Sequence, residues 1–115
     1  MMKKNSLSLC LAGSLWLLTV TAQAMPTHEV IFVKGSNCGT YQGDLTSGAL
    51  FSMEMNANQQ LVISTDGHVQ SVTDSQGEIL EDKGGANYRY DSKHTSTHTI
   101  KMVGRVDSAV EFCVY

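Results

Sequence analysis

Short apolar runs recur along the chain after residue 25, and Gly, Asp, Asn and Ser separate them. The clearest run places Phe51, Met53 and Met55 on one face, with polar side chains between them. Alternation with a period of two is typical of a strand with one buried face. No window keeps apolar residues at helical spacing for more than one turn. The pattern therefore predicts an all-β fold, a small antiparallel β-sandwich or a barrel of eight or nine short strands.

Some of the other predicted strands, such as those at residues 30–33 and 79–80, have no polar residues between the apolar ones. Residues 30–33 are apolar on both faces and end at a Lys-Gly pair. Ile79 and Leu80 form a two-residue run between turn sequences, which predicts a further short strand. The remaining predicted strands lie at residues 40–45, 61–63, 69–73, 88–90, 100–102 and 110–114.

The first 24 residues have the organisation of a cleavable signal peptide. Lys3 and Lys4 provide a basic start, and a largely apolar stretch follows over residues 7–20. Ala22-Gln23-Ala24 then supplies the small-x-small pattern that a signal peptidase accepts. The apolar stretch is shorter than the roughly 20 residues that a membrane span needs. We therefore expect cleavage after Ala24, a periplasmic location, and one domain over residues 25–115 without membrane attachment.

Two cysteines, Cys38 and Cys113, remain after this cleavage. In an oxidising compartment an even pair in a small domain predicts a disulfide rather than two free thiols, and two candidates leave one connectivity. The bridge closes a loop of 76 residues, for which the chain-entropy relation gives at most roughly 4.5 kcal/mol. Because Cys113 has the opposite parity from Phe112, we expect the bridge to join the last strand to the Cys38 segment near a sheet edge.

The charge of the chain limits the classes of partner. The whole sequence has a net charge of −3, and removal of Lys3 and Lys4 leaves six basic against eleven acidic residues, a charge of −5. This balance argues against nucleic acid or an anionic membrane as the partner. It suits a cationic protein, although solubility alone would also explain it.

Catalytic and cofactor motifs are missing from the predicted domain. The sequence has no Gly-x-Ser-x-Gly elbow, and the predicted bridge uses both cysteines. Gly84-Gly85 follows no buried strand and opens no helix, so it is not a phosphate-binding loop. We therefore expect neither an enzyme nor a bound cofactor.

The histidine pair His94 and His98 has the spacing of a helical metal site. In an extended segment, however, four residues span roughly 13 Å, which is too far for one zinc ion. We therefore expect no metal site and interpret residues 91–98 as a solvated polar loop that leads into a strand. The Ser-, Thr- and His-rich composition makes this loop the first candidate for contact with a partner, through Lys93, His94 and Ser96. The turn at residues 104–108 is the second, and both could also be ordinary exposed loops.

Six segments of characteristic composition follow one another along the predicted domain: VIFVKG, YQGDL, FSMEM, NQQLVI, VTDSQG and HTIKM, at residues 30–35, 41–45, 51–55, 58–63, 72–77 and 98–102. Their order resembles the bacterial pre-peptidase C-terminal domain, a small β-sandwich. In particular it is similar to the periplasmic inhibitors of g-type and i-type lysozyme that share this fold. The resemblance extends over nearly all of residues 30–115.

The resemblance implies that the partner is a lysozyme-like muramidase. A rigid polar loop would fill the glycosidase cleft and hydrogen-bond its catalytic carboxylate, with Lys93, Ser96 or Arg105 as the donor. Arg105 is included because it lies in the turn before the last strand, where the g-type inhibitors carry arginines. The edge strands of an open sandwich would also allow a homodimer.

A small exported protein of this kind also resembles a type VI secretion immunity protein, which neutralises a peptidoglycan-cleaving effector in the periplasm. We favour this interpretation at the level of sequence. The alternatives are an inhibitor of host g-type or i-type lysozyme, a module that binds peptidoglycan or a small ligand without inhibiting an enzyme, and a metal-binding periplasmic protein.

Overall fold

Eight strands and no helix make up residues 25–115, the part of the chain that the computed structural model describes. The predicted leader lies outside the described residues. No helix capable of crossing a lipid bilayer occurs within this part of the chain. The strands are β1 (Thr27–Glu29), β2 (Cys38–Gly43), β3 (Ala49–Met55), β4 (Gln60–Thr65), β5 (His68–Thr73), β6 (Tyr88–Asp91), β7 (Ser96–Val103) and β8 (Ser108–Val114).

The strands form two four-stranded sheets that share one core. The first sheet has the order β1-β3-β7-β5 and the second the order β2-β8-β4-β6. All neighbouring strands are antiparallel except β1 and β3, which pair in parallel with Thr27 opposite Leu50. The predicted all-β sandwich is therefore confirmed, with one short parallel strand at the edge of the first sheet.

Alternating side chains from both sheets fill the core, as the sequence pattern predicts. Phe51, Met53 and Met55 of β3 are each at most 3% exposed. Phe51 meets Phe112 of β8 from the opposite sheet, with ring centroids 5.1 Å apart. The core also receives the fully buried Ile100 of β7. The two phenylalanines thus join the sheets at the middle of the sandwich.

The prediction of a strand at residues 30–33 is wrong. This segment crosses from the first sheet to the second, and each sheet is hydrogen-bonded to only one end of it. Val30 N donates to Ser52 O of β3 (2.9 Å), whereas Val33 N donates to Cys38 O of β2 (3.2 Å). Ile31 and Val33 are therefore 69% and 64% exposed.

The prediction of a strand at Ile79 and Leu80 is also wrong. Ile79 makes only an isolated bridge to Thr73 and is 70% exposed. Leu80 reaches the core at 5% exposure, and its N–H donates to Val72 O (2.8 Å). The side chain of Leu80 anchors this connection in the core, but within the described residues no further strand pairs with the connection. The chain therefore has no regular secondary structure from here to β6.

The Cys38–Cys113 disulfide is present, and as predicted it joins the last strand to the Cys38 segment at the edge of a sheet. Cys38 is directly opposite Cys113 across the β2–β8 pair, with their Cα atoms 4.1 Å apart. β2 is the edge strand of the second sheet and pairs with β8 alone. Next to the bridge, a Cβ on Gly39 would lie 2.5 Å from the backbone oxygen of Ile31, so only glycine fits there without a shift.

Candidate functional site

The side chains that the sequence proposes for partner contact lie at opposite ends of β7. Lys93 and His94 precede this eight-residue strand, Ser96 begins it, and Arg105 follows it. At about 3.4 Å per residue, the two groups are roughly 25 Å apart. They therefore cannot form one compact contact. We call residues 104–107 the Arg105 turn and the side chains of Asp74, Glu78, Lys93 and His94 the His94 cluster.

The backbone of the Arg105 turn is fixed by hydrogen bonds to buried residues. Gly104 N donates to Leu45 O, and Leu45 N donates to Arg105 O, each at 2.9 Å. Arg105 N donates to Ser108 Oγ at 2.8 Å. Leu45 and Ser108 are both fully buried. Gly104 is required by this arrangement, because a Cβ there would lie 2.5 Å from Ser108 Oγ.

The side chain of Arg105 extends into solvent from this fixed turn and is held on one side by Asp66. Arg105 Nη2 donates to Asp66 Oδ2 at 2.7 Å, and Asp66 Oδ1 accepts the backbone N–H of Ala109 at 3.1 Å. The Arg105 side chain is 73% exposed. A guanidinium has five N–H donors, so most of them face outward from the turn. Val106, beside Arg105 in the turn, is also exposed.

Asp66 makes the stability of this end of the sandwich dependent on pH. The bond from Arg105, and then the N–H of Ala109, lower the pKa of Asp66 from its ordinary value of 3.8. A carboxyl whose pKa is lowered by folding contributes stability above its unfolded pKa, and that contribution is lost as the pH falls through the folded pKa.

The substitution Asp66→Asn should therefore flatten the loss of thermal stability below about pH 4, because Asn has no charge to lose. The unfolding midpoint would be measured by circular dichroism in steps from pH 7 to pH 2. Glu111→Gln changes an exposed residue of β8 and serves as the control. Its unfolding midpoint should fall with pH as steeply as that of the wild type. An Asp66→Asn profile parallel to that of the wild type would contradict the contribution assigned to the Arg105–Asp66 pair.

The His94 cluster joins the β5–β6 connection to the β6–β7 loop. Lys93 Nζ donates to Glu78 Oε2 at 2.8 Å, and His94 Nε2 lies 3.3 Å from Glu78 Oε1. His94 Nε2 is also 3.8 Å from Asp74 Oδ2. The bond from Lys93 is the main reason why the pKa of Glu78 is lowered.

Asp74 is the buried member of this cluster. Its Oδ1 atom accepts the backbone N–H groups of Gln76 (2.9 Å) and Glu78 (3.0 Å), which fixes the turn between them. Burial raises the pKa of Asp74, but these two N–H groups together with the nearby His94 and His98 leave the pKa below its ordinary value. The Asp-Ser-Gln-Gly pattern at residues 74–77 is typical of a turn, and nothing in it indicates contact with His94.

The interpretation of residues 91–98 as a solvated loop is wrong for its last part, because β7 already begins at Ser96. His98 is fully buried on the face that also carries Ile100, and its Nδ1 lies 3.0 Å from Ser96 O. The Oγ atom of Ser96 is itself buried. Among the predicted contact residues of this segment, Lys93 is exposed and His94 is half-buried, whereas the hydroxyl of Ser96 does not reach the surface.

A shallow groove of about 400 Å³ lies beside the Arg105 turn, on the outer face of the second sheet. Asp66 forms one end of it, so the groove is continuous with the side chain that holds Arg105. The surface next to Arg105 is thus concave, with both polar and apolar lining residues. Its other lining residues include Thr40, Gln42, Ser64, Thr65 and Glu111.

Comparison with solved structures finds the same fold in proteins of distant sequence. The chain is similar to PliG of Aeromonas hydrophila, a periplasmic inhibitor of g-type lysozyme, with a TM-score of 0.61 and 13% identity over 82% of this chain and 100% of that one. PliG of Salmonella Typhimurium gives 0.62 and 13% over 80% and 100%. A mutant PliG of Escherichia coli gives 0.56 and 11% over 80% and 100%. No protein-family profile and no curated protein matches the sequence.

Proposed function

We propose that this protein is a periplasmic inhibitor that binds a lysozyme-like muramidase through the Arg105 turn. The observation that supports this most directly is the exposed Arg105 guanidinium, presented on a turn whose backbone is bonded to Leu45 and Ser108. The proposal is also supported by the likeness in fold to three g-type lysozyme inhibitors. The predicted signal peptide would export the protein to the periplasm, where muramidases cut the cell wall.

A fixed turn with an outward arginine suits the inhibition of a glycosidase. Glycosidases of this kind work with a pair of carboxyl groups in an open cleft, and an arginine binds a carboxylate through two parallel hydrogen bonds. Because the turn is already ordered, binding would lose less conformational entropy than the capture of a flexible loop. Asp66 orients the guanidinium while leaving its other donors to the partner.

Two sources of the target muramidase are consistent with this geometry. The first is a peptidoglycan-cleaving effector of type VI secretion, for which the protein would be the immunity partner. The second is a host lysozyme of the g-type, the class named for the structural neighbours. We put the effector first, because 11–13% identity to those inhibitors leaves room for a different target. In either case a negatively charged inhibitor would associate fastest with a cationic enzyme.

The substitution Arg105→Ala should weaken inhibition at least about 30-fold, because an interfacial charged hydrogen bond is worth roughly 2 kcal/mol or more when its partner is left buried. Inhibition constants would be measured with purified protein against g-type lysozyme and against a lysozyme-like effector encoded beside it. Lys93→Ala is the matched control, since it removes one positive charge about 25 Å away. Arg105→Lys should recover only part of the loss, because Lys lacks the planar fork.

The two possible failures of this experiment have different meanings. If the wild-type protein leaves both enzymes fully active, muramidase inhibition is the wrong function. If the wild type inhibits but Lys93→Ala, and not Arg105→Ala, loses affinity, then the function is right and contact occurs at the other end of β7.

A further inference from the structure

One oxygen of Asp74 is buried without a hydrogen-bond partner. The side chain of Asp74 is fully buried, yet among the described residues Oδ2 accepts no hydrogen bond, while Oδ1 accepts two. A charged oxygen in this position costs free energy unless a cation or a donor faces it. The atom that approaches it is His94 Nε2, at 3.8 Å, which is longer than a hydrogen bond.

Three potential ligand atoms converge around that oxygen. Asp74, Glu78 and His94 each offer one atom within 4.8 Å of the other two. His94 Nε2 lies 3.3 Å from Glu78 Oε1 and 3.8 Å from Asp74 Oδ2. Two ligands on one tetrahedral zinc ion, each at about 2.1 Å from the metal, are about 3.4 Å apart. The two separations measured from His94 Nε2 are thus close to the distance between neighbouring ligand atoms on a single metal ion.

We propose that Asp74, Glu78 and His94 bind a divalent transition-metal cation, with Zn²⁺ as the best match. An imidazole with two carboxylates is a donor set found in zinc sites, and three protein ligands leave the fourth position to water. This site is not the His94–His98 pair that the spacing suggests, because His98 is buried among core residues. The proposal departs from the expectation of no metal and is independent of muramidase inhibition.

Lys93 supports the site rather than competing for it. Its Nζ atom is bonded to Glu78 Oε2, whereas the oxygen that faces His94 is Oε1. Glu78 can therefore bind the ion through one oxygen and keep Lys93 on the other, as outer-shell partners of metal ligands do. The side chains of Glu78 and His94 are each a little over one-third exposed, which gives an ion access from solvent. A bound ion would tie the β5–β6 connection to the β6–β7 loop.

The test is a titration of the untagged, disulfide-bonded protein with Zn²⁺ in competition with a chromophoric chelator. We expect one equivalent to bind. His94→Gln and Glu78→Gln should each weaken binding at least about 10-fold, because the loss of an outer-shell partner alone costs a metal site about 10- to 100-fold. These positions are chosen because Asp74 also holds a turn, so its replacement would disturb the fold. His68→Gln removes a surface histidine near the far end of β7 and is the control.

Co²⁺ provides an independent measurement of the same site. The intense visible absorption of tetrahedral Co²⁺ should appear in the wild type and in His68→Gln, and should disappear in His94→Gln. The proposal is overturned if the wild type binds no Zn²⁺ at 1:1 stoichiometry, or if His94→Gln and Glu78→Gln bind it as tightly as the wild type does.

Discussion

Replacing Cys38 and Cys113 together by alanine should lower the thermal unfolding midpoint by about 15 °C. The bridge joins residues 75 apart in sequence, and the chain-entropy relation gives roughly 4.5 kcal/mol as an upper value for such a loop. For a domain of this size each 1 kcal/mol shifts the midpoint by about 4 to 8 °C. Since small domains have a total stability of only about 5 to 15 kcal/mol, the bridge contributes a large share.

Circular dichroism melts with and without reductant separate this effect from the loss of side-chain packing. Addition of a thiol reductant should shift the wild-type protein towards the midpoint of the double variant and should leave the variant unchanged. The packing control is needed because Cys113 is 6% exposed and contributes to the core as well as to the bridge. Equal midpoints for the oxidised and reduced wild type would contradict the stabilisation assigned to the bridge.

Phe112→Ala is the second substitution for which we expect a large effect, a loss of about 3 to 5 kcal/mol in the free energy of unfolding. Phe112 is fully buried on β8, in the strand at the centre of the second sheet, and its ring packs on Phe51 of the first sheet. Removing the ring opens a cavity where the two sheets meet. Urea unfolding followed by circular dichroism would give the change from the shift in midpoint.

Ile79→Ala is the matched control for this experiment. It also removes a large apolar side chain, but Ile79 is 70% exposed. Its effect should stay within about 0.5 kcal/mol, as for other exposed positions. If the two variants lost similar stability, the assignment of the core to the Phe51–Phe112 contact would be wrong.

The fold followed from the sequence wherever one face of a strand is buried and the other is not. Phe51, Met53 and Met55 alternate strictly, and β3 is found where they lie. At residues 30–33 the pattern predicts a strand that does not form, because a run that is apolar on both faces is typical of a buried strand. Whether such a run is buried depends on which sheet each of its ends joins. Here Val30 bonds to Ser52 of one sheet, 22 residues away, and Val33 bonds to Cys38 of the other.

The candidate site was less predictable than the fold. The sequence singled out Arg105, but the residue that orients it, Asp66, is 39 positions away. The His94 cluster depends in the same way on Glu78, 16 positions before His94. The polar neighbours of His98 predict a loop, although alternation with Ile100 places His98 on the buried face of β7. Contacts between distant turns follow from strand order, which spacing along the chain does not reveal.

The order of strands in the two sheets has a consequence for how the chain acquires its structure during synthesis. Among the strands of residues 25–115, β7 and β8 are made after the other six. β8 lies between β2 and β4, and β7 lies between β3 and β5. A ribosome that has reached residue 107 has therefore produced β2 with no strand to pair with. Four of the six strand pairings within residues 25–115 use β7 or β8, so most of the native pairing must wait until these two strands emerge, and folding should be slow. A protein that stays unfolded until then remains suited to threading through a translocation channel.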